Sequence, residues 1–278
     1  MTATKVLREV IKVLEDAKIE DARFDAEQIV IEALSISVSH LKTEEREVSK
    51  KQYEKIIENA KARASFRPLQ YILGEWEFYS LPFKVGEGVL IPRPDTEVLV
   101  DTALDYIGDA KGLNIIDLCS GSGAIAVAIA KFKNEQNVYA LEKSEKAYEY
   151  LKENIKLNGV NVTATLGDIF SPDTSEKYDL IVSNPPYIKK SVLPTLQEEV
   201  KREPEMALDG GEDGLIFYKA IANLWVPKLK AGGAVIVEIG YDQMEEVVAI
   251  FESAGLKHIE CKKDLAGNHR VIIGTMNA

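Results

Sequence analysis

Ile115-Ile116-Asp117-Leu118-Cys119-Ser120-Gly121-Ser122-Gly123-Ala124 decides the fold. An apolar run reaches an acid, passes through a turn of small residues and opens a helix rich in alanine, valine and isoleucine. Strand, glycine turn and helix in this order let bare backbone approach a ligand closely. Gly121-x-Gly123-x-x-Ala126 has the G-x-G-x-x-A form of the dinucleotide fingerprint, and Glu142, 21 residues beyond Gly121, falls where a ribose-binding acid is expected. The same spacing suits S-adenosylmethionine, whose ribose also takes a carboxylate at the end of the second strand. Spacing alone leaves a nicotinamide dehydrogenase and a methyl-donor enzyme both open.

Working outward, strand-like and helix-like runs alternate from about residue 94, which predicts βαβ units and a parallel sheet, hence an α/β class. Strands are expected at 114–118, 138–141, 162–166, 178–183 and 234–239, with helices at 95–107, 123–131, 145–157, 215–225 and 243–253. Two closing runs, 257–261 and 270–274, are joined too briefly for a parallel crossover and must pair antiparallel. Before this core, residues 4–65 carry helical period: Val6, Val10, Val13, Leu14 and Ala17, then Ala26, Ile29, Val30, Ala33 and Leu34, then Tyr53, Ile56, Ile57 and Ala60. Asp21 or Asp25 is the expected cap of the second helix and Ser49 that of the third. Between them and the core, 67–93 turns to Pro, Gly and aromatic residues and predicts a hairpin linker. The expected division is therefore 1–66, 67–93 and 94–278.

Asn184-Pro185-Pro186-Tyr187 follows the fourth core strand directly. The Asn184 side-chain carbonyl and the Pro185 backbone carbonyl are two acceptors in a row, which suits an NH2 group, and Tyr187 can cover a planar face. A strand-ending turn explains the same residues, since Asn-Pro and Pro-Pro are common punctuation. The long segment 184–213 has little apolar period, and loops of that length are usually functional or disordered.

Three features separate the two cofactor readings. Asp117 beside the ligand would repel a pyrophosphate and attract the cationic methionine part of a methyl donor. Asp168, after the third strand, can accept from an exocyclic adenine amine. The antiparallel ending replaces a second mononucleotide-binding half. All three favour S-adenosylmethionine. The net charge of −11 argues against direct nucleic-acid binding, and the lysine pairs 189–190 and 262–263 read as solvated surface. No run of about 18 apolar residues and no signal-peptide pattern occur, which predicts a cytoplasmic protein without membrane contact. Cys119 and Cys261 lie far apart in apolar stretches and are expected as buried thiols, and three scattered histidines carry no metal signature, so no metal is expected.

With these motifs together the chain resembles class I S-adenosylmethionine methyltransferases that act on planar nitrogens, and most of all the protein glutamine methyltransferases of peptide chain release factors (the PrmC/HemK group). The likeness is carried by Asp25-Ala26-Glu27, by Arg67-Pro68-Leu69-Gln70-Tyr71-Ile72-Leu73-Gly74, by Ile91-Pro92-Arg93-Pro94-Asp95-Thr96-Glu97, by Arg202-Glu203-Pro204, by Ala207-Leu208-Asp209-Gly210-Gly211-Glu212-Asp213-Gly214 and by Asp264-Leu265-Ala266-Gly267 with Arg270. It implies a Rossmann-like mixed sheet, mostly parallel with an antiparallel C-terminal hairpin, preceded by a small all-helical domain that binds the release factor. It further implies methylation of the glutamine of a Gly-Gly-Gln segment at N5, with S-adenosylhomocysteine as by-product and class I release factors as partners; a monomer is expected. Asp117, Cys119, Ser120, Gly121, Ser122 and Gly123 would hold the methionine end, Glu142 the ribose, Asp168 and Ile169 the adenine. Arg93 and Thr96 would close over the methionine carboxylate or brace the loop, and Asn184, Pro185, Pro186 and Tyr187 would hold the glutamine. Cys119 stands where the family usually has glycine, and serves only if the position does not need a positive φ. An adenine-N6 DNA methyltransferase shares the Asn-Pro-Pro-Tyr signature and is the alternative within methyl transfer. A non-catalytic adaptor that binds the methyl donor is the alternative outside it.

Overall fold

The structure, a computed structural model, describes residues 1–43 and 46–277. Two compact units emerge, one formed by Met1–Glu75 with Gln197–Arg202, the other by Trp76–Leu196 with the chain from Glu203 onward.

The first unit holds α1 (Ala3–Asp16), α2 (Ala22–Leu34), α3 (Val38–Thr43), α4 (Lys50–Ala64) and α5 (Leu69–Leu73). The apolar stripes meet in its core, where Val6, Val10, Leu14, Ala26, Ile29, Val30, Ile56 and Ala60 are all sealed from solvent. Ser49 caps α4 as expected, in a reciprocal capping box with Gln52. Asp21 precedes α2 without a side-chain cap, and Asp25 lies inside the helix. The cap expectation for Asp25 is thus corrected. Buried among apolar neighbours, its carboxylate takes a counter-ion instead, Arg63 of α4 at 2.5 Å, and Arg63 reaches Glu199 of the Gln197–Arg202 segment at 2.6 Å.

A hairpin, β1 (Glu75–Phe78) and β2 (Leu81–Lys84), begins at the last residue of the first unit and leads into the second, followed by a 3₁₀ turn at Pro94–Thr96 and α6 (Glu97–Ile107). The alternating core follows as β3 (Asn114–Leu118), α7 (Ala124–Phe132), β4 (Asn137–Glu142), α8 (Glu145–Asn158), β5 (Val162–Leu166) and β6 (Tyr178–Ser183). After a long loop come α9 (Ile216–Ala220), continued by a π turn over Ile221–Trp225, then β7 (Leu229–Glu238), α10 (Met244–Ser253), β8 (Lys257–Lys263) and β9 (His269–Thr275). Strand β7 starts earlier than its apolar run suggests, because Gly232 and Gly233 sit in an irregularity of the β6–β7 pairing rather than in a turn before the strand.

Seven strands form one sheet in the order β5-β4-β3-β6-β7-β9-β8; β9 alone among them runs against its neighbours. The strand order reverses between β3 and β6, a switch point at whose carboxyl edge ligands bind in such sheets. Register lines that edge up: Leu118 pairs with Leu141 and with Ser183, Glu142 with Leu166, and Ser183 with Val237. The residues following these strands therefore converge on one row. Alternate side chains fill two faces, Leu180, Val182 and Ile236 packing with α6, α7 and the hairpin, Ile181 and Val235 with Trp225 and Phe251. Among the described residues no helix is long and apolar enough to cross a membrane.

Candidate active site

At the switch point lies a cavity of about 340 Å³. It brings together Arg93, Thr96, Cys119, Ser120, Gly121, Ser122, Glu142, Ile169, Asn184 and Pro186 of the residues singled out from sequence, while Asp117, Gly123, Asp168, Pro185 and Tyr187 stand outside its lining.

The glycine turn is shaped from beneath. Asp117, wholly buried, accepts from the Ser120 hydroxyl at 2.6 Å and the Ala126 N–H at 3.2 Å through Oδ2, while its Oδ1 has no partner. The sequence predicts this acid near the ligand; it lies outside the cavity lining, buried behind the turn whose Ser120 it holds. Burial pushes its carboxyl up to about 7, against the lowering effect of its two hydrogen bonds and with a small upward push from Glu142. Gly123 combines φ +84°, where any side chain is strained, with a position where a Cβ would stand 2.5 Å from Leu151 Cδ1 and would have to displace it. Asn154 of α8 ties the turn to the hairpin, donating to Ser122 O and Lys84 O and accepting from the Lys84 N–H at 2.6 Å.

Cys119 adopts φ +58°, the left-handed region its own side chain disfavours. The condition attached to it from sequence is thus not met: the turn does need a positive φ here, and cysteine adopts it under strain. Cys119 and Cys261 are free thiols, half-buried rather than buried. Burial and the nearby carboxylates of Glu142 and Asp117 push the Cys119 thiol up, away from thiolate reactivity.

Glu142 ends β4 and faces the cavity with both oxygens anchored, Oε2 by the Gly121 N–H and Oε1 by the Ser144 N–H, each at 2.7 Å. Burial raises its carboxyl, and these N–H groups oppose the rise. Asp168 turns aside to Lys143 at 2.7 Å and to the Phe170 N–H; despite a desolvation push upward, these partners hold it below the usual carboxylate range. Ile169 and Phe170 supply the cavity's apolar wall.

On the opposite side Asn184 donates Nδ2–H to Thr96 Oγ1 at 3.1 Å, Thr96 is 2.6 Å from Glu238 Oε2, and the Tyr187 hydroxyl is 3.2 Å from Glu238 Oε1. Arg93 is braced by Glu203, which also accepts from the Ile91 N–H at 3.0 Å. Gln243 clasps the tetrapeptide's backbone, giving its Nε2 protons to Tyr187 O and Gly214 O at 3.0 and 3.1 Å. Gly210 and Gly214 pack on Tyr187 so tightly that a Cβ at either would fall within 2.8 Å of its backbone. Glu238 and Gln243 are given no role by the sequence, and Glu203 enters it only within Arg202-Glu203-Pro204. Glu238 does carry a signal, as a lone carboxylate closing the otherwise apolar run Ala234-Val235-Ile236-Val237.

Known proteins resemble this chain along nearly all its length. The PrmC N-terminal domain family matches residues 5–74 and the Methyltransferase small domain family residues 95–218. The release factor glutamine methyltransferase of Thermodesulfovibrio yellowstonii is 42% identical over 253 residues, covering 90% of this chain and 91% of that protein. The protein of the same name from Moorella thermoacetica is 35% identical over 277 residues, 98% of each chain. Among solved structures, a methyltransferase from Pyrococcus furiosus shares the fold at a TM-score of 0.57 and 20% identity, covering 83% of this chain and all of that one.

Proposed function

This chain belongs to the release factor glutamine methyltransferase family, and from that premise we propose that it methylates the side-chain amide nitrogen of the glutamine in a release factor's Gly-Gly-Gln segment, using S-adenosylmethionine. The nicotinamide alternative, open on spacing alone, falls with this membership.

The single observation that carries the reading is the pose of Asn184 in the lining of the glycine-turn cavity, its NH2 tied to Thr96 and its carbonyl left for a ligand. The cavity's chemistry fits the donor. Glu142 offers a carboxylate for a ribose diol, Ile169 and Phe170 an apolar wall for a purine, and the unpartnered Oδ1 of Asp117 an uncompensated negative potential beneath the loop for a cationic amino acid. S-Adenosylmethionine, when bound, supplies a methyl carbon on a sulfonium, and the electrons of the broken C–S bond return to sulfur.

An amide nitrogen is a poor nucleophile because its lone pair is shared with the carbonyl. Asn184 Oδ1 and the Pro185 carbonyl, accepting the two N–H groups of the substrate amide, aim its nitrogen and stabilise the positive charge that grows on it. Once alkylated, that nitrogen is acidic and releases its proton to water, so no strong base is demanded of the chain. Tyr187, held by Glu238 and Gln243, keeps the tetrapeptide in place.

Radiolabelled methyl transfer to a purified release factor, with duplex DNA as the second arm, tests the proposal: label should enter the protein and not the DNA. Asn184→Ala should lower turnover by about 10²-fold or more while donor affinity stays within a few-fold. Label in DNA alone would favour the adenine-N6 reading, and full turnover in Asn184→Ala would remove the clasp.

A further inference from the structure

We propose that Glu238 is a positioning residue for methyl transfer: acting through the Thr96 hydroxyl, it dictates which end of the Asn184 carboxamide faces the cavity. The inference deepens the reading above and rests on it. It follows from counting donors and acceptors. An ionised carboxylate only accepts, so Glu238 takes the Thr96 hydroxyl proton at 2.6 Å and the Tyr187 hydroxyl proton at 3.2 Å. A hydroxyl has one proton to give. With it committed to Glu238, Thr96 Oγ1 offers Asn184 nothing but a lone pair, and the carboxamide must turn its NH2 toward Thr96 across 3.1 Å. The carbonyl is thereby left to receive the N–H of a substrate amide.

Protonation of Glu238 removes the constraint. The neutral carboxyl can donate to Thr96, and Thr96 can then donate to Asn184, which is satisfied only after a half-turn of the carboxamide. In that pose Asn184 presents NH2 to a substrate NH2, donor against donor. Glu238 itself is 1% exposed and stands outside the cavity lining, so it does not touch the substrate.

The surroundings place this switch near neutrality. Burial is the main influence and pushes Glu238 up to about 7; the hydroxyls of Thr96 and Tyr187 and the charge of Arg270 pull down, and Asp95 pushes up. Arg270 of β9 divides its charge between Asp264 at 3.0 Å and Asp95 at 3.3 Å, so it does not fully offset Glu238. Tyr218 of α9 faces the backbone, donating to Glu238 O at 3.0 Å.

The test uses the full-length protein, tritiated S-adenosylmethionine and a purified release factor. In the wild type at saturating donor, kcat should fall about tenfold per pH unit below roughly pH 7. Glu238→Gln can present either end of its amide to Thr96, so at pH 8 it should lose about tenfold in kcat, keep the donor Kd within about twofold, and lose the acid limb. Thr96→Val should show the same loss, and Thr96→Ser should recover most of it. A reading independent of turnover is the side-chain NH2 signal of Asn184 in nitrogen-15 spectra, identified by its disappearance in Asn184→Ala. It should titrate near pH 7 in the wild type and stay unmoved in Glu238→Gln.

Wild-type kcat in Glu238→Gln, an acid limb unshifted by that substitution, or equal turnover in Thr96→Val and Thr96→Ser would each overturn the inference. If Glu238→Gln does not fold, the two Thr96 variants and the wild-type titration decide. A wild type that transfers no label to the release factor would defeat the reading of the substrate instead, while the Asn184 signal would still report whether Glu238 sets the carboxamide.

Discussion

Cys119 shows how much one backbone angle can weigh. A side chain at φ +58° costs about 1–2 kcal/mol relative to glycine, and glycine returns part of that through its freer unfolded chain. Cys119→Gly should therefore raise stability by up to about 1 kcal/mol in urea denaturation without weakening donor binding. Asp117 makes a different prediction. Its carboxyl titrates near 3.8 in the unfolded chain and near 7 in the fold, because burial penalises the ionised form. Below pH 4 both states hold the proton; between about 4 and 7 the unfolded chain alone releases it. Stability should fall as pH rises through that window, by roughly 4 kcal/mol in all. The loss should be absent from Asp117→Asn, so the gap between the two denaturation profiles should change with pH, and a constant gap would contradict the account. Asp117 was legible as an acid before a glycine turn. Its place beneath the turn was not, since the pleat fixes only the face of β3 on which Asp117 stands, and the packing of the turn and α7 on that face decides what covers it.

Among the elements, the rhythm of strands and helices was legible because apolar period is a local property: β3 and β5 have the expected bounds, and α7, α8 and α10 lie within a residue or so of theirs. Side-chain contacts between elements were not. Asp25 and Arg63 sit on α2 and α4, 38 residues apart, and nothing in either helical pattern pairs them. Buried together they form a pair whose rupture leaves a charge uncompensated. Arg63→Met should destabilise the protein by about 3–5 kcal/mol, and the double substitution Asp25→Leu with Arg63→Met should recover much of that, both read from thermal or urea unfolding. An additive double variant would show that the two side chains do not act as a pair.

For the whole molecule, the question is what recognises the protein substrate. A glutamine with its two glycines offers far less contact than a specific protein interface requires. We propose that the helical unit, with its own apolar core, supplies recognition beyond the clasp. Intact release factor should then be methylated with a kcat/KM at least about 100-fold above that of a short Gly-Gly-Gln peptide at equal donor concentration. Equal values for peptide and protein would confine recognition to the cavity.

The amino-acid sequence by itself determined the α/β alternation, the antiparallel ending, the helical segment before the core and the Asn-Pro-Pro-Tyr tetrapeptide after the fourth core strand. Each depends on period, spacing or residue chemistry within a few positions. Tertiary structure alone decided that Thr96, 88 residues from Asn184 and 142 from Glu238, stands between them. That meeting follows from β7 pairing beside β6 and from α6 returning to the same edge of the sheet, and strand order is set by the packing of the whole core rather than by any local stretch.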